Sequence, residues 1–155
     1  MLYTLEGDVP QESYTIPFGE ASVVREGGDV TVVALGRMVQ FASEAADELA
    51  AEGIECEIVD PRTTSPLDED TILESVEGTG RLVVVDEAGP RCGMAADIIS
   101  LVAREAFAEL KAPPRMVTPP HTPVPFSPIL EDAYVPTPEG IAAAIRETTG
   151  AVAHA

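Results

Sequence analysis

Residues 21–36 read ASVVREGGDVTVVALG. Val30–Leu35 is an almost unbroken apolar, largely β-branched run, the pattern of a strand covered on both faces. Ala21–Arg25 is a second, shorter strand candidate, and Gly27, Gly28 and Asp29 turn the chain between the two. Only four residues separate Arg25 from Val30, far too few for a parallel crossover, which takes a dozen or more. The two strands are therefore expected to run antiparallel.

After Gly36 the period changes. Met38, Phe41, Ala42, Ala45, Ala46 and Leu49 recur at helical spacing, with Glu44, Asp47, Glu48 and Glu52 opposite and Gly53 as C-cap. Ile54–Val59 is the next strand. Asp68 is placed to N-cap a helix containing Ile72, Leu73 and Val76. Leu82–Val85 is a strand, Met94–Leu110 a long helix, and Arg115–Thr118 a short strand. A last helix is expected at about residues 138–148. Strands alternating with helices imply right-handed crossovers. The expected class is α/β: a three-layer α/β/α sandwich around a mostly parallel mixed sheet with one antiparallel strand. Residues 113–128 carry seven prolines, which stiffen the connection and exclude ladder pairing beyond its first residues. Residues 1–18 read as an extended arm, 19–150 as the folded domain and 151–155 as a flexible tail.

Composition removes several classes of function. A chain of 155 residues with 45% hydrophobic content is expected to form one domain. No apolar run approaches the roughly 20 residues that span a bilayer, and the N-terminus lacks the pattern of a signal peptide. A cytoplasmic location is expected. Cys56 and Cys92 read as two lone thiols without metal spacing. Twenty-seven acids face nine bases, a net charge of −18. Such a surface repels nucleic acid and anionic membranes. Self-repulsion of this size is relieved at molar salt, where the Debye length is about 3 Å, so a salt-loving host is expected.

In parallel sheets, functional groups gather at the carboxyl ends of the strands. Here those ends carry Arg37, then Asp60 and Arg62, then Asp86, Glu87 and Arg91. Three of the eight arginines lie there, and guanidinium suits carboxylates and phosphates alike. Three readings stand: the arginines pair with Asp60, Asp86 and Glu87 to lock the sheet edge, they meet a subunit, or they hold a small anion. Catalytic chemistry is thin. No phosphate-binding glycine motif is present. His121 reads as a loop histidine bonded to backbone, and His154 as part of the tail. Cys92, beside Arg91 at a helix start, is a weak candidate nucleophile. Asp86 and Glu87 are consecutive and would face opposite sides of a strand, against an acid–base couple. No catalytic, metal or cofactor-binding residue is assigned.

The succession IPFGEASVVREGGDVTVVALG (16–36), GIECEIVDPRTTSPLDEDTILESVEGTGRLVVVDEA (53–88) and HTPVPFSPILEDAYVP (121–136) resembles a known family. It is that of the C-terminal domain of the β subunit of thiamine-diphosphate-dependent 2-oxo acid dehydrogenases, in the transketolase superfamily. The flavour of DPRTTSPLDEDTILESV, PRCGMAADI and HTPVPFSP is nearest to acetoin dehydrogenase β subunits, with pyruvate and branched-chain types beside them. The resemblance implies a five-stranded mixed sheet with one antiparallel strand. It implies that thiamine diphosphate and Mg in the complete enzyme are held by other segments, and that this chain alone binds no cofactor and is inactive. Met1 is then expected to begin a truncated piece or a shortened reading frame. The implied role is assembly with an α subunit and a second β subunit in a heterotetramer, with docking of the acyltransferase core; a homodimer is a further option for the isolated domain. Candidate docking residues are Glu105, Glu109, Glu131 and Asp132, with Lys111 standing where some pyruvate-type members carry an acid. The other hypothesis is a free-standing α/β module that binds a small anion.

Overall fold

Ser22–Arg25 (β1) and Val30–Ala34 (β2) are both strands, and all five residues of β2 are buried. This is a computed structural model, and it describes residues 6–150. The first residues of the expected arm and the expected tail, with His154, lie outside that range. Cys56–Asp60 (β3), Leu82–Val85 (β4) and Arg115–Val117 (β5) complete a five-stranded sheet of order β1-β3-β2-β4-β5. β3, β2, β4 and β5 are parallel. β1 runs opposite to β2 as expected, but its partner is β3, pairing Ser22 with Asp60 and Val23 with Val59. Neighbouring strands lie about 4.8 Å apart, so skipping one spans about 10 Å, within reach of four linking residues at roughly 3.3 Å each.

The linking loop crosses over the start of β3 and is pinned there. Asp29 donates its N–H to the Glu55 carbonyl at 2.9 Å, and its carboxylate accepts the Glu55 N–H at 2.8 Å. Helix α1 (Met38–Ala50) buries Met38, Ala42, Ala45, Ala46 and Leu49. It ends three residues before the expected C-cap. Gly53, at φ 80°, reverses the chain after one tight turn, and the Ile54 N–H reaches the Leu49 carbonyl at 3.0 Å. Helix α2 (Glu69–Thr79) is capped by Asp68, which accepts the Thr71 N–H at 3.1 Å.

Helix α3 (Met94–Glu105) is shorter than the expected 94–110. Buried Ala106 leaves the helix at φ −126°, ψ 27°, and Phe107–Glu109 forms a 3₁₀ turn. The tighter path lets the Lys111 N–H bond the Gly80 carbonyl at 2.8 Å, a tether that a straight helix would overrun. A helix not foreseen, α4 (Pro128–Asp132), starts inside the proline-rich connection, because proline at the first helical position gives up only an orphan donor. Helix α5 (Pro138–Thr149) follows, with Thr137 accepting the Gly140 N–H.

Helices α1 and α5 pack on one face of the sheet and α2 and α3 on the other, each over its own apolar cluster. The three-layer sandwich stands. Thr31, the polar member of β2, is fully buried and bonds the hydroxyls of Ser75 at 2.7 Å and Thr79 at 2.8 Å in α2.

Candidate functional site

The chain leaves β2 toward β3 over one face and reaches β4 over the other. The carboxyl ends of β2 and β4 therefore flank the topological switch point, where open α/β sheets usually hold ligands. In this protein its own side chains meet there. Arg37 follows β2, half-buried; its Nε lies 3.6 Å from Glu87 Oε1 and its guanidinium carbon 4.7 Å from the Phe41 ring centroid. Glu87 is half exposed, so the ion pair is worth no more than about 1 kcal/mol.

Asp86 and Asp60 are used differently from the sequence expectation. Each turns its carboxylate onto the backbone two residues ahead: Asp86 accepts the Ala88 N–H at 2.9 Å, and Asp60 the Arg62 N–H at 2.9 Å. Short acidic side chains build such turns readily, and the turns take the oxygens that the arginines were expected to meet. Arg62 and Cys92 both sit in the left-handed region, each at φ 57°. Arg62 and Arg91 are exposed and in no ion pair among the described residues. The expected edge lock is therefore a single pair, Arg37–Glu87. Arg62 borders an open cleft of about 360 Å³ with Gly36, Asp60, Pro61 and Thr63.

Gly93 closes the 86–93 turn. A Cβ there would lie 2.9 Å from the Gly89 carbonyl oxygen and 3.6 Å from Asp86 Oδ2. His121, expected to bond backbone, is exposed without a hydrogen bond among the described residues. Its Nδ1 lies 4.0 Å from where a Gly89 Cβ would be. It thus joins the corner from the connection after β5. The signal available for this was topological: β4 and β5 are parallel neighbours, so both must exit on one edge.

The docking candidates do not form one surface. Glu105, Glu109 and Lys111 lie where the chain returns to begin β5, at the opposite end of the sheet from the corner. Glu105 pairs with Arg104 at 2.6 Å. Lys111 is engaged: its Nζ donates to the Thr79 carbonyl at 3.0 Å, at the C-terminus of α2, where a cation is favoured. Glu131 and Asp132 are exposed on α4, at the carboxyl end.

Asp68 does more than cap a helix. Its Oδ2 also accepts the Ala21 N–H at 2.8 Å, tying the entry of β1 to α2. Partial burial pushes its pKa up, but the Ala21 and Thr71 N–H groups and the Thr71 hydroxyl outweigh this and hold the carboxyl below its ordinary value. Cys56 is buried, and desolvation pushes its thiol up to about 11; Cys92 is exposed, and both are free. Among the described residues, no three His, Cys, Asp or Glu side chains are grouped to hold a metal ion.

This geometry first defines a class: a three-layer α/β domain whose ligand-prone switch point is bridged by its own ion pair. The particular family follows from comparison, since residues 19–141 match the transketolase C-terminal domain, and the chain belongs to that family. It is 65% identical over 147 residues to the acetoin:2,6-dichlorophenolindophenol oxidoreductase subunit beta of Cupriavidus necator, covering 95% of this chain and 44% of that one. Against the pyruvate dehydrogenase beta subunit of Rickettsia felis it is 42% identical over 147 residues, covering 95% and 45%. A solved structure titled "Split gene transketolase, inactive beta4 tetramer" superposes with a TM-score of 0.75 at 29% identity, covering 88% of this chain and 44% of that one. The chain spans less than half the length of these relatives.

Proposed function

We propose that this chain is the C-terminal assembly region of the β subunit of an acetoin dehydrogenase, with pyruvate- and branched-chain-type enzymes as the neighbouring reading. The observation that carries it is the 65% identity over 147 residues to the acetoin-oxidising subunit. In this reading the chain works in the cytoplasm beside an α subunit and a second β subunit in a heterotetramer, and receives the acyltransferase core. As an isolated domain it pairs with a second copy of itself. Thiamine diphosphate and Mg are held by other segments of the enzyme. The Arg37–Glu87 corner, with Asp86 and Arg91 shaping the turn, is a rigid edge between subunits; it moves no proton.

The test is a chimera. The chain is fused behind the preceding part of the Cupriavidus necator β subunit and expressed with that enzyme's α subunit. Acetoin-dependent reduction of 2,6-dichlorophenolindophenol is expected, and none from the chain alone with coenzyme and Mg. A chimera that assembles with α yet oxidises neither acetoin nor pyruvate would sink the reading.

The charge of −18 belongs to a protein suited to high salt. Its melting temperature is expected to rise by several degrees between dilute buffer and molar salt as self-repulsion is screened. A melt indifferent to salt would remove the halophilic reading.

A further inference from the structure

We propose that the cleft at the carboxyl ends of β2 and β3 binds a small hydroxylated phosphate ester, with Arg62 gripping the phosphoryl group; this goes beyond the assembly reading above and does not rest on it. Six of the eight arginines reach an acid or a carbonyl. Arg25 meets Asp47, Arg37 meets Glu87, Arg104 meets Glu105, Arg115 meets Glu147, Arg146 meets Glu48, and Arg81 donates to the Asp29 carbonyl. The Arg62 guanidinium reaches none among the described residues, although Asp60 stands two positions before it. Asp60 instead accepts the Arg62 N–H, and Arg62 is held at φ 57°, a conformation that glycine or asparagine adopts more readily. A bulky residue kept in the left-handed region, its charge unspent in a chain of −18, is a combination suited to a ligand clamp.

The cleft supplies the donors a phosphoryl group needs. Its volume of about 360 Å³ lies within the range of small-molecule sites, and Gly36 and Thr64 line it beside Arg62. Gly36 sits at φ 58° with nothing within 4 Å of where its Cβ would be, so the backbone there is bare to an approaching ligand. Among the described residues the Gly36 N–H and the Thr64 N–H and hydroxyl meet no hydrogen-bond partner. These donors come from two different loops and join the planar guanidinium fork, an arrangement that suits the several oxygens of a phosphoryl group. The Arg62 loop is braced before a ligand arrives. The Thr63 hydroxyl accepts the Gly19 N–H at 2.9 Å and donates to the Pro66 carbonyl at 2.9 Å, and Pro61 is buried. Little ordering remains to be lost on binding. Asp60 decides what the phosphate carries. Its Oδ1 takes the Arg62 N–H, and its Oδ2 has no partner among the described residues. A carboxylate on the wall of the cleft repels free phosphate but accepts a hydroxyl, so a hydroxylated ester fits better than the bare ion.

Nuclear magnetic resonance titration of the isotope-labelled full chain tests this, with glycerol 3-phosphate and inorganic phosphate as separate probes. Glycerol 3-phosphate is expected to bind with a Kd of about 1 mM, roughly threefold or more tighter than inorganic phosphate, and to shift the Gly36 and Thr64 amide signals. Arg62→Asn puts in a residue that tolerates the left-handed region and should weaken binding about tenfold or more. Arg91→Asn removes an arginine that is equally exposed and in no ion pair but lies outside the cleft, and should leave Kd unchanged. Asp60→Asn can still accept the Arg62 N–H and should bring the two probes to within about twofold of each other. Circular dichroism confirms folding, and Thr64→Val, expected to cost about threefold, replaces Arg62→Asn if that variant does not fold. No shift at either amide up to about 20 mM of both probes, equal losses in Arg62→Asn and Arg91→Asn, or inorganic phosphate as the tighter ligand would each overturn the proposal.

Discussion

Ile58→Ala is expected to remove about 3–4 kcal/mol of stability. Ile58 is fully buried in β3, paired with Val32 of β2 on one side and Arg25 of β1 on the other. Its side chain lies in the cluster shared with Met38, Ala42 and Ala46 of α1. The strand is held by hydrogen bonds along both edges, so it cannot sink to fill the space a smaller side chain leaves. The cost is therefore the lost transfer energy plus most of the cavity. For a domain of this size each kcal/mol moves the midpoint by roughly 2–4 °C, so a thermal melt should fall by about 10 °C. Ile58→Val, which removes one methyl, should cost only about 1 kcal/mol. A midpoint for Ile58→Ala within about 3 °C of wild type would show that the helices can close on β3, against the packing described.

Elements with a strong period were legible. The continuous apolar run of β2 declared burial on both faces, and the spacing of Met38 to Leu49 declared α1. What the chain does not print is adjacency. A short link says that β1 opposes β2 in direction, yet β3 can slip between them without changing either. Helix ends were harder for the same reason. Ala106 is a good helix former, and α3 stops there because Lys111 has to reach Gly80. That is a tertiary demand overriding local propensity.

The corner was half legible. Arginines and acids just after strand ends had to lie on one edge, and Arg37 with Glu87 do form a pair. Which acid meets which base was not readable, because Asp60 and Asp86 spend an oxygen on the backbone two residues on. Lys111 shows the same limit from the other side. From the resemblance Lys111 reads as one of the docking candidates, whereas here its amine donates to the last carbonyl of α2. A Cβ on Gly80 would lie 2.7 Å from its stem. Its role depends on a residue far back in the chain, and periodicity carries no such information.

Gly27→Ala is the sharpest test of the crossing that places β3 inside the sheet. A Cβ on Gly27 would lie 2.4 Å from the Cys56 carbonyl carbon, 2.5 Å from its oxygen and 2.7 Å from the Glu55 oxygen. All three are backbone atoms, so no side chain can swing aside. Relief requires lifting the 26–29 loop off β3, which breaks the two bonds between Asp29 and Glu55. Overpacking of this kind costs about 1–3 kcal/mol and each lost hydrogen bond about 1 more, so a loss of about 3 kcal/mol is expected. Gly28 supplies the control. Nothing lies within 4 Å of its Cβ position, and Gly28→Ala should stay within about 0.5 kcal/mol of wild type. Urea unfolding gives both values, and hydrogen exchange at the Glu55 amide should accelerate in Gly27→Ala alone, since its acceptor on Asp29 moves away. If the two variants unfold alike, the chain does not cross over β3 at Gly27. β1 would then have to reach its place by another path, and the strand order itself would need revision.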